Sequence, residues 1–449
     1  MSTTELSMNG EARSQLEQRA QNVLERLAGR GATAGEVDLS IATGLSVTVR
    51  MGEVETVEFN KDQGLALTAY FGRRKGTAST SDLSDDAIEE AVNAACSLAR
   101  YTAEDQYAGL ADAALMARDY PDLDLCHPWP VEPRQAIAIA TECERNALSY
   151  DPRISNSEGA TVSTHRALYV YGNTHGFVGG YPTSRHSISC SVIAGGEDAM
   201  QRDYWFTTAR DAQSLESAEE VGRKAGMRAV RRLDARRLST RQVPVLFAAE
   251  VASSLLAHFV TAIHGANLYR GSSFLLDSLG RQVFPDWVRI YEDPLMRRGL
   301  GSVPFDGEGV AVRKSDVVVG GVVQRYILDS YAARKLGMQT TGNAGGVHNL
   351  TLVPGDHDLD GLVRLMDTGV LVTELMGQGV NKVTGDYSRG AAGFWVEKGE
   401  IRFPVEEITV AGNLQDMFRT LVAVGNDIDR RRNMLTGSIL VEQMTVAGN

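Results

Sequence analysis

TELMGQGVNKVTGDYSRGAAGFWVEKGEIRFP, Thr373 to Pro404, is the stretch on which the reading of the fold turns. It holds six glycines and ends in a hairpin signal. Phe394–Glu397 and Glu400–Phe403 flank a Lys398-Gly399 turn, and two-residue hairpin loops favour a glycine that can take positive φ. In that register Val396 faces Ile401, Phe394 faces Phe403, and Trp395 faces Arg402 as a cross-strand cation–π pair. Glu397 faces Glu400, which turns at least one of them toward solvent or a partner. Upstream, Asp386, Tyr387, Ser388 and Arg389 form a polar cluster between glycines. A plain turn and a peptide-contacting loop both fit it. Gly377 and Gly379 suit a loop whose backbone comes close to another group.

Working outward, the second half reads as strands and turns. Val317–Val319 and Val322–Gln324 flank Gly320-Gly321, another hairpin signal. Short helices are expected at Tyr331–Leu336 and Leu359–Met366. Val243 to Ile263 reads as one buried helix; Pro244, Glu250, Ser253, Ser254 and His258 argue against a membrane span. The charge-rich run Arg231–Arg241 marks a boundary. Before it, the order helix, strands, helix occurs twice. Residues 11–28 carry an apolar helical stripe. A second helix starts after Ser84 as N-cap, with Leu83 and Ile88 as a staple and a core stripe Ile88, Ala91, Val92, Ala95, Leu98. Further helices fall at Pro133–Leu148 and Glu216–Leu233, with strands at 47–69 and 161–193. The expected fold is α+β: an N-terminal domain (1–235) of helices and antiparallel strands, and a β-rich, barrel- or sandwich-like C-terminal domain (236–449).

A net charge of −12, with no dense basic block beyond Arg228–Arg237, excludes a nucleic-acid surface. Cys96, Cys126, Cys143 and Cys190 show no CxxC spacing and read as reduced thiols of a cytoplasmic protein. The amino-terminal MSTTELSMNGEARSQL lacks a hydrophobic signal core.

Four blocks in one order carry a family resemblance. MGQGVNKVTGDYSRGAAGFWVEKGEI, LGMQTTGNAGGVHNLTLVPG (Leu336–Gly355), SFLLDSLG (Ser273–Gly280) and VRMGEVETVEFN (Val49–Asn60) resemble the TldD/PmbA, or "modulator of DNA gyrase", family, nearest its PmbA/TldE branch. The TldD branch resembles zinc peptidases built on an HExxxH helix and a later cysteine. The matching helix here is AEVASS. Ala249 and Ser254 stand at the two histidine positions, Glu250 at the glutamate, and Thr436 at the cysteine. None of the three ligand positions holds a zinc donor, so this chain is expected to carry no metal, with zinc in a TldD-type partner. Glu250 is at most a remnant base, otherwise a helix residue paired with a basic group. His258 and His264, six apart, fall on different helical faces. His348 lies in a glycine-rich family block, as a structural or a substrate-contacting residue. His175 and His186 read as surface or loop residues.

The resemblance implies a subunit of a two-component peptidase acting on peptides or unfolded proteins. Gly377, Gly379, Asp386–Arg389 and His348 are the candidate substrate contacts, and strand addition is the binding mode. If the chain self-associates as a homodimer in the absence of the TldD-type partner, the same exposed surface would serve. Two other readings stay open: a metallopeptidase acting alone through unconventional ligands, and a non-enzymatic regulatory or binding protein.

Overall fold

The fold comes from a computed structural model that describes residues 10–196 and 200–448. Residues 1–9, most of the polar amino-terminal stretch, lie outside the described residues.

The first half is one six-stranded antiparallel sheet carrying four helices. Its elements are α1 (Gly10–Gly29), β1 (Ala34–Arg50), β2 (Glu53–Phe71), β3 (Arg74–Thr80), α2 (Asp85–Tyr101), α3 (Pro133–Leu148), β4 (Ile154–Asn173), β5 (Val178–Ala194), β6 (Gln201–Ala209) and α4 (Ala218–Arg231). The strand order β3-β2-β1-β4-β5-β6 is symmetric about the β1–β4 pair. Each helix–three-strand–helix unit therefore builds one half of the sheet. Val37, Leu39 and Ile41 of β1 pack under α1 and α2, while Leu45, Val47 and Val49 pack under α3 and α4. All six residues are odd-numbered, so the helices share one face and the other is left for the second half of the chain. The Ser84 side chain accepts from the Ala87 amide, the expected cap. Leu98, expected in the core, is 53% exposed. At Gly76, β3 comes close to the backbone of Ala95 and Ala99 and to the Leu98 Cβ, so Leu98 sits over the edge strand β3 and not over the core.

The second half contains β7 (Arg241–Phe247), α5 (Ala249–Ala262), α6 (Gly265–Leu268), β8 (Ile290–Glu292), β9 (Ser315–Val319), β10 (Val322–Val323), α7 (Ser330–Lys335), β11 (Leu350–Leu352), α8 (Leu359–Met366), β12 (Gly369–Met376), β13 (Asp386–Glu397), β14 (Glu400–Asn413), α9 (Leu414–Arg419), β15 (Leu421–Val424), β16 (Met434–Leu435) and β17 (Ile439–Ala447). Strands β14-β13-β12-β7-β17 form a continuous sheet. Pairing of Thr409–Ala411 with Thr445–Ala447 closes it into a barrel. A second sheet, β10-β9-β8-β11-β16, packs into the same core.

Two expectations need correction here. Val243–Ile263 is not one helix: it is most of β7, then α5. A short, fully buried apolar run does not distinguish strand from helix by periodicity. The Lys398-Gly399 turn is present, with φ of 56° and 69°, but a bulge between Trp395 and Val396 sets Trp395 opposite Phe403 instead of Arg402. The cation on Trp395 is Arg241, 5.0 Å from the ring centroid.

Candidate functional site

Helix α5 starts directly after β7, and this places its first turn at an end of the barrel. The Ala249 amide donates to Ser438 Oγ over 3.0 Å, so the segment bearing Thr436 abuts the start of α5. Ala249 and the segment bearing Thr436 thus come together. Ser254 lies further along the helix and donates to the Val251 carbonyl. Thr436 is fully buried and its hydroxyl donates to the Gly437 carbonyl.

Glu250 turns toward the first domain. Its Oε1 accepts from Arg228 Nη1 at 2.7 Å, and Arg228 Nε donates to Asp203 Oδ1 at 3.1 Å. Burial weakens the Arg228 charge, but Asp203 and Glu250 outweigh it and hold the guanidinium protonated above its ordinary range. Arg232 bonds Glu374 of β12 and lies 3.7 Å from Asp203. Arg431 grips Asp429 with two nitrogens and lies over Trp205, 4.0 Å from its centroid.

These groups border a cavity of about 800 Å³ between the two halves, lined also by Arg185, Arg389, Arg432, Ser254, Phe206 and Met434. The spacing of residues in the sequence did not reveal Asp203, Arg431 or Arg432. Arg228 was visible only as the start of a basic run, and the Arg430–Arg432 triplet was the remaining signal.

Strand alternation splits the polar cluster of the opening stretch. Asp386–Arg389 begin strand β13 and form neither a turn nor a loop. Tyr387, 1% exposed, and Arg389 share the inner face. Asp386 and Ser388 face outward: Asp386 accepts from Thr384 Oγ1, and the Ser388 amide donates to the Gly379 carbonyl over 2.7 Å. A Cβ on Gly379 would stand 2.0 Å from the Ser388 carbonyl oxygen, so that glycine is required by a close strand contact. Gly377 has φ of 74°. Of the candidate substrate contacts, only Arg389 lines this cavity.

His348 lines another cavity, of about 1140 Å³, between the sheet of the first domain and the second domain. Its amide donates to Glu292 Oε1 at 2.6 Å and its Nδ1 lies 3.1 Å from the same oxygen. Glu292 also receives Arg325 and Asn343. Burial would raise the Glu292 pKa, but the His348 hydrogen bond and the Arg325 charge outweigh it and hold it below the usual range. His186 was expected at the surface or in a loop. It lies within β5, fully buried, between Thr164 Oγ1 and the His127 carbonyl. It faces inward because its position on β5 puts it beneath Trp129. His175 is exposed in the β4–β5 turn. His264 caps α6 through Nδ1.

A closed β-barrel joined to a helix-covered antiparallel sheet, with cavities along the join, defines a two-part α+β protein. Models described as PmbA/TldA metallopeptidase domain 1, central domain and C-terminal domain match residues 35–99, 126–233 and 240–448. The chain is 50% identical to the metalloprotease PmbA of Escherichia coli O157:H7 over 96% of both chains. It is 50% identical to the Haemophilus influenzae PmbA homolog over 94% of both. A crystal structure described as a modulator of DNA gyrase, from Bacteroides thetaiotaomicron, superposes with a TM-score of 0.92 at 28% identity, covering 98% of this chain and all of that one. The chain belongs to the PmbA/TldD metallopeptidase family.

The family name implies a metal, and the residues here do not fit one. The three positions offer a methyl group and two hydroxyls, both of which are already donated to backbone carbonyls. Among the described residues, no group of three or more His, Cys, Asp or Glu side chains is placed to hold a metal ion. Among them, too, no helix is long and apolar enough to cross a membrane.

Proposed function

We propose that this chain is the PmbA/TldE-type subunit of a zinc-dependent peptidase acting on peptides or unfolded proteins, with the metal held by a TldD-type partner. One observation supports the reading: Arg228 neutralises Glu250, the residue aligned with the family's general base, which would have to be free; the alignment also sets Ala249, Ser254 and Thr436, none a zinc donor, at the ligand positions. The chain would then complete the enclosure around a peptide. Residues Glu53–Gln63 of β2 are exposed throughout, β3 pairing only with Leu65–Phe71, so their outer edge is free for strand addition by substrate or partner. If the partner is absent, the same surface would accept a second copy. Four free cysteines, three of them buried, fit a cytoplasmic setting.

The test is zinc content per chain, purified without chelator and without a TldD-type protein, together with cleavage of an unfolded polypeptide. The reading expects negligible zinc and no cleavage alone, and cleavage once a TldD-type partner bearing HExxxH is added. Zinc near one per chain, or cleavage by the isolated chain, would overturn it.

A further inference from the structure

The cavity beside α5 holds more positive charge than its own acids neutralise. Arg228 is matched by Asp203 and Glu250, and Arg232 by Glu374. Arg431 and Arg432 share the single carboxylate of Asp429. Arg389, from β13, has no carboxylate within 4 Å among the described residues, and neither has Arg185, from β5, which is exposed. This surplus lies in a protein whose net charge is −12.

The hydrogen-bond inventory points the same way. The Nε–H groups of Arg389 and Arg432 are both buried and make no hydrogen bond, Arg432 Nε lying 3.7 Å from Asp429 Oδ2. The Tyr387 hydroxyl interacts with Arg389, and His258 Nε2 on α5 is buried without a partner; neither of these two residues lines the cavity. Buried donors left unmade are uncommon, because each forfeits its hydration. The two open donors that belong to the cavity wall, on Arg389 and Arg432, suit an acceptor entering the cavity. Burial, then the Arg389 charge, pushes the His258 pKa down, so the imidazole adds no competing cation. Phe206, Val251, Leu375 and Met434 supply apolar wall beside the arginines.

We propose that this cavity binds a carboxylate of a peptide, received by the guanidinium groups of Arg389 and Arg432. A planar fork of N–H donors matches a carboxylate's two oxygens. A volume of about 800 Å³ admits one or a few residues behind it. That the carboxylate belongs to a peptide rests on the function proposed above. The carboxylate is the chain terminus of the peptide or an Asp/Glu side chain. The site would anchor and orient the peptide from the metal-free side of the enclosure.

Calorimetry on the full chain, without partner or metal, tests this. The probes are acetyl-Ala-Ala-Ala-Phe as free acid, the same peptide as C-terminal amide, and acetyl-Ala-Glu-Ala-Phe-amide. The free acid is expected to bind about tenfold tighter than its amide, with R389M and R432M each erasing the difference and R389K restoring part of it. Thermal melts of the variants establish that they are folded. If the glutamate-containing amide matches the free acid, carboxylate binding stands and the source is a side chain. Equal binding of acid and plain amide, or tighter binding of inorganic phosphate than of the acid, overturns the proposal. So does no detectable binding of the acid at millimolar concentration. None of these outcomes alters the zinc and cleavage measurements, so the two readings fail separately.

Discussion

Arg228 donates to Glu250 across 2.7 Å, from helix α4 of the sheet domain to helix α5 of the barrel domain. Its Nε reaches Asp203 on β6 in the same act. One half-buried cation thus ties three elements across the join. Arg228→Met would leave Glu250 uncompensated and Asp203 with only the more distant Arg232, and should destabilise the fold by about 3 kcal/mol. Glu250→Gln keeps a hydrogen-bond acceptor and should cost about 1 kcal/mol or less. Urea midpoints of the two variants check this. Equal losses would mean that the pair carries no special weight.

Glu308 makes stability depend on pH. Burial, and more weakly its neighbour Asp306, push its pKa up to about 7, against a lowering hydrogen bond from Ser330. The folded state therefore holds a proton that the unfolded state releases from near pH 4.5 upward. This group's contribution falls as pH rises from about 4.5 to 7 and is flat above. Glu308→Gln should remove that slope and stabilise the protein at pH 8 by at most about 3 kcal/mol. Thermal midpoints between pH 5 and 8 read it; a slope unchanged in the variant would clear Glu308 of the effect.

Gly222 sets the spacing of α3 and α4. A Cβ there would stand 2.0 Å from the Cys143 carbonyl oxygen, and one on Gly226 would stand 2.8 Å from that of Ala147. Both contacts are backbone, which cannot rotate away. Gly222→Ala should therefore cost about 2 kcal/mol or more through strain, despite the better helix propensity of alanine. Gly10→Ala, with open space around it, is the control. A melting point for Gly222→Ala equal to that of the control would refute the close-packing argument.

Local signals were legible where a single turn or cap decides the structure. Ser84 caps α2, Lys398-Gly399 turns the β13–β14 hairpin, and Gly320-Gly321 turns β9 into β10, with φ of 58° and 74°. The duplicated helix–strands–helix order appears as the symmetric strand order of one sheet. Register was not legible beyond the turn, because the bulge after Trp395 leaves the alternation of residue types unchanged. The site was legible only in part. The resemblance located α5, and Arg389 emerged from the glycine-rich stretch. Arg228, Asp203, Arg431 and Arg432 meet it from segments up to some two hundred residues apart. No local pattern encodes that meeting, since charge pairing across domains is fixed by tertiary packing alone.

The Glu292 network offers the clearest test of a buried charge. Glu292 is 2% exposed and accepts from Arg325, Asn343 and His348. Its pKa is held low in the folded state, so its stabilising contribution is fully present above the unfolded value near 4.5. It is lost as pH falls through the lower folded value. Glu292→Gln removes the countercharge of a buried arginine and should cost about 3–5 kcal/mol at pH 7. As pH falls through that lowered value the wild type protonates the same group, and the gap between the two proteins should narrow. Urea unfolding at pH 7 and in acid measures it. A gap that is small at pH 7, or that widens in acid, would show that Arg325 does not depend on Glu292 for its charge balance.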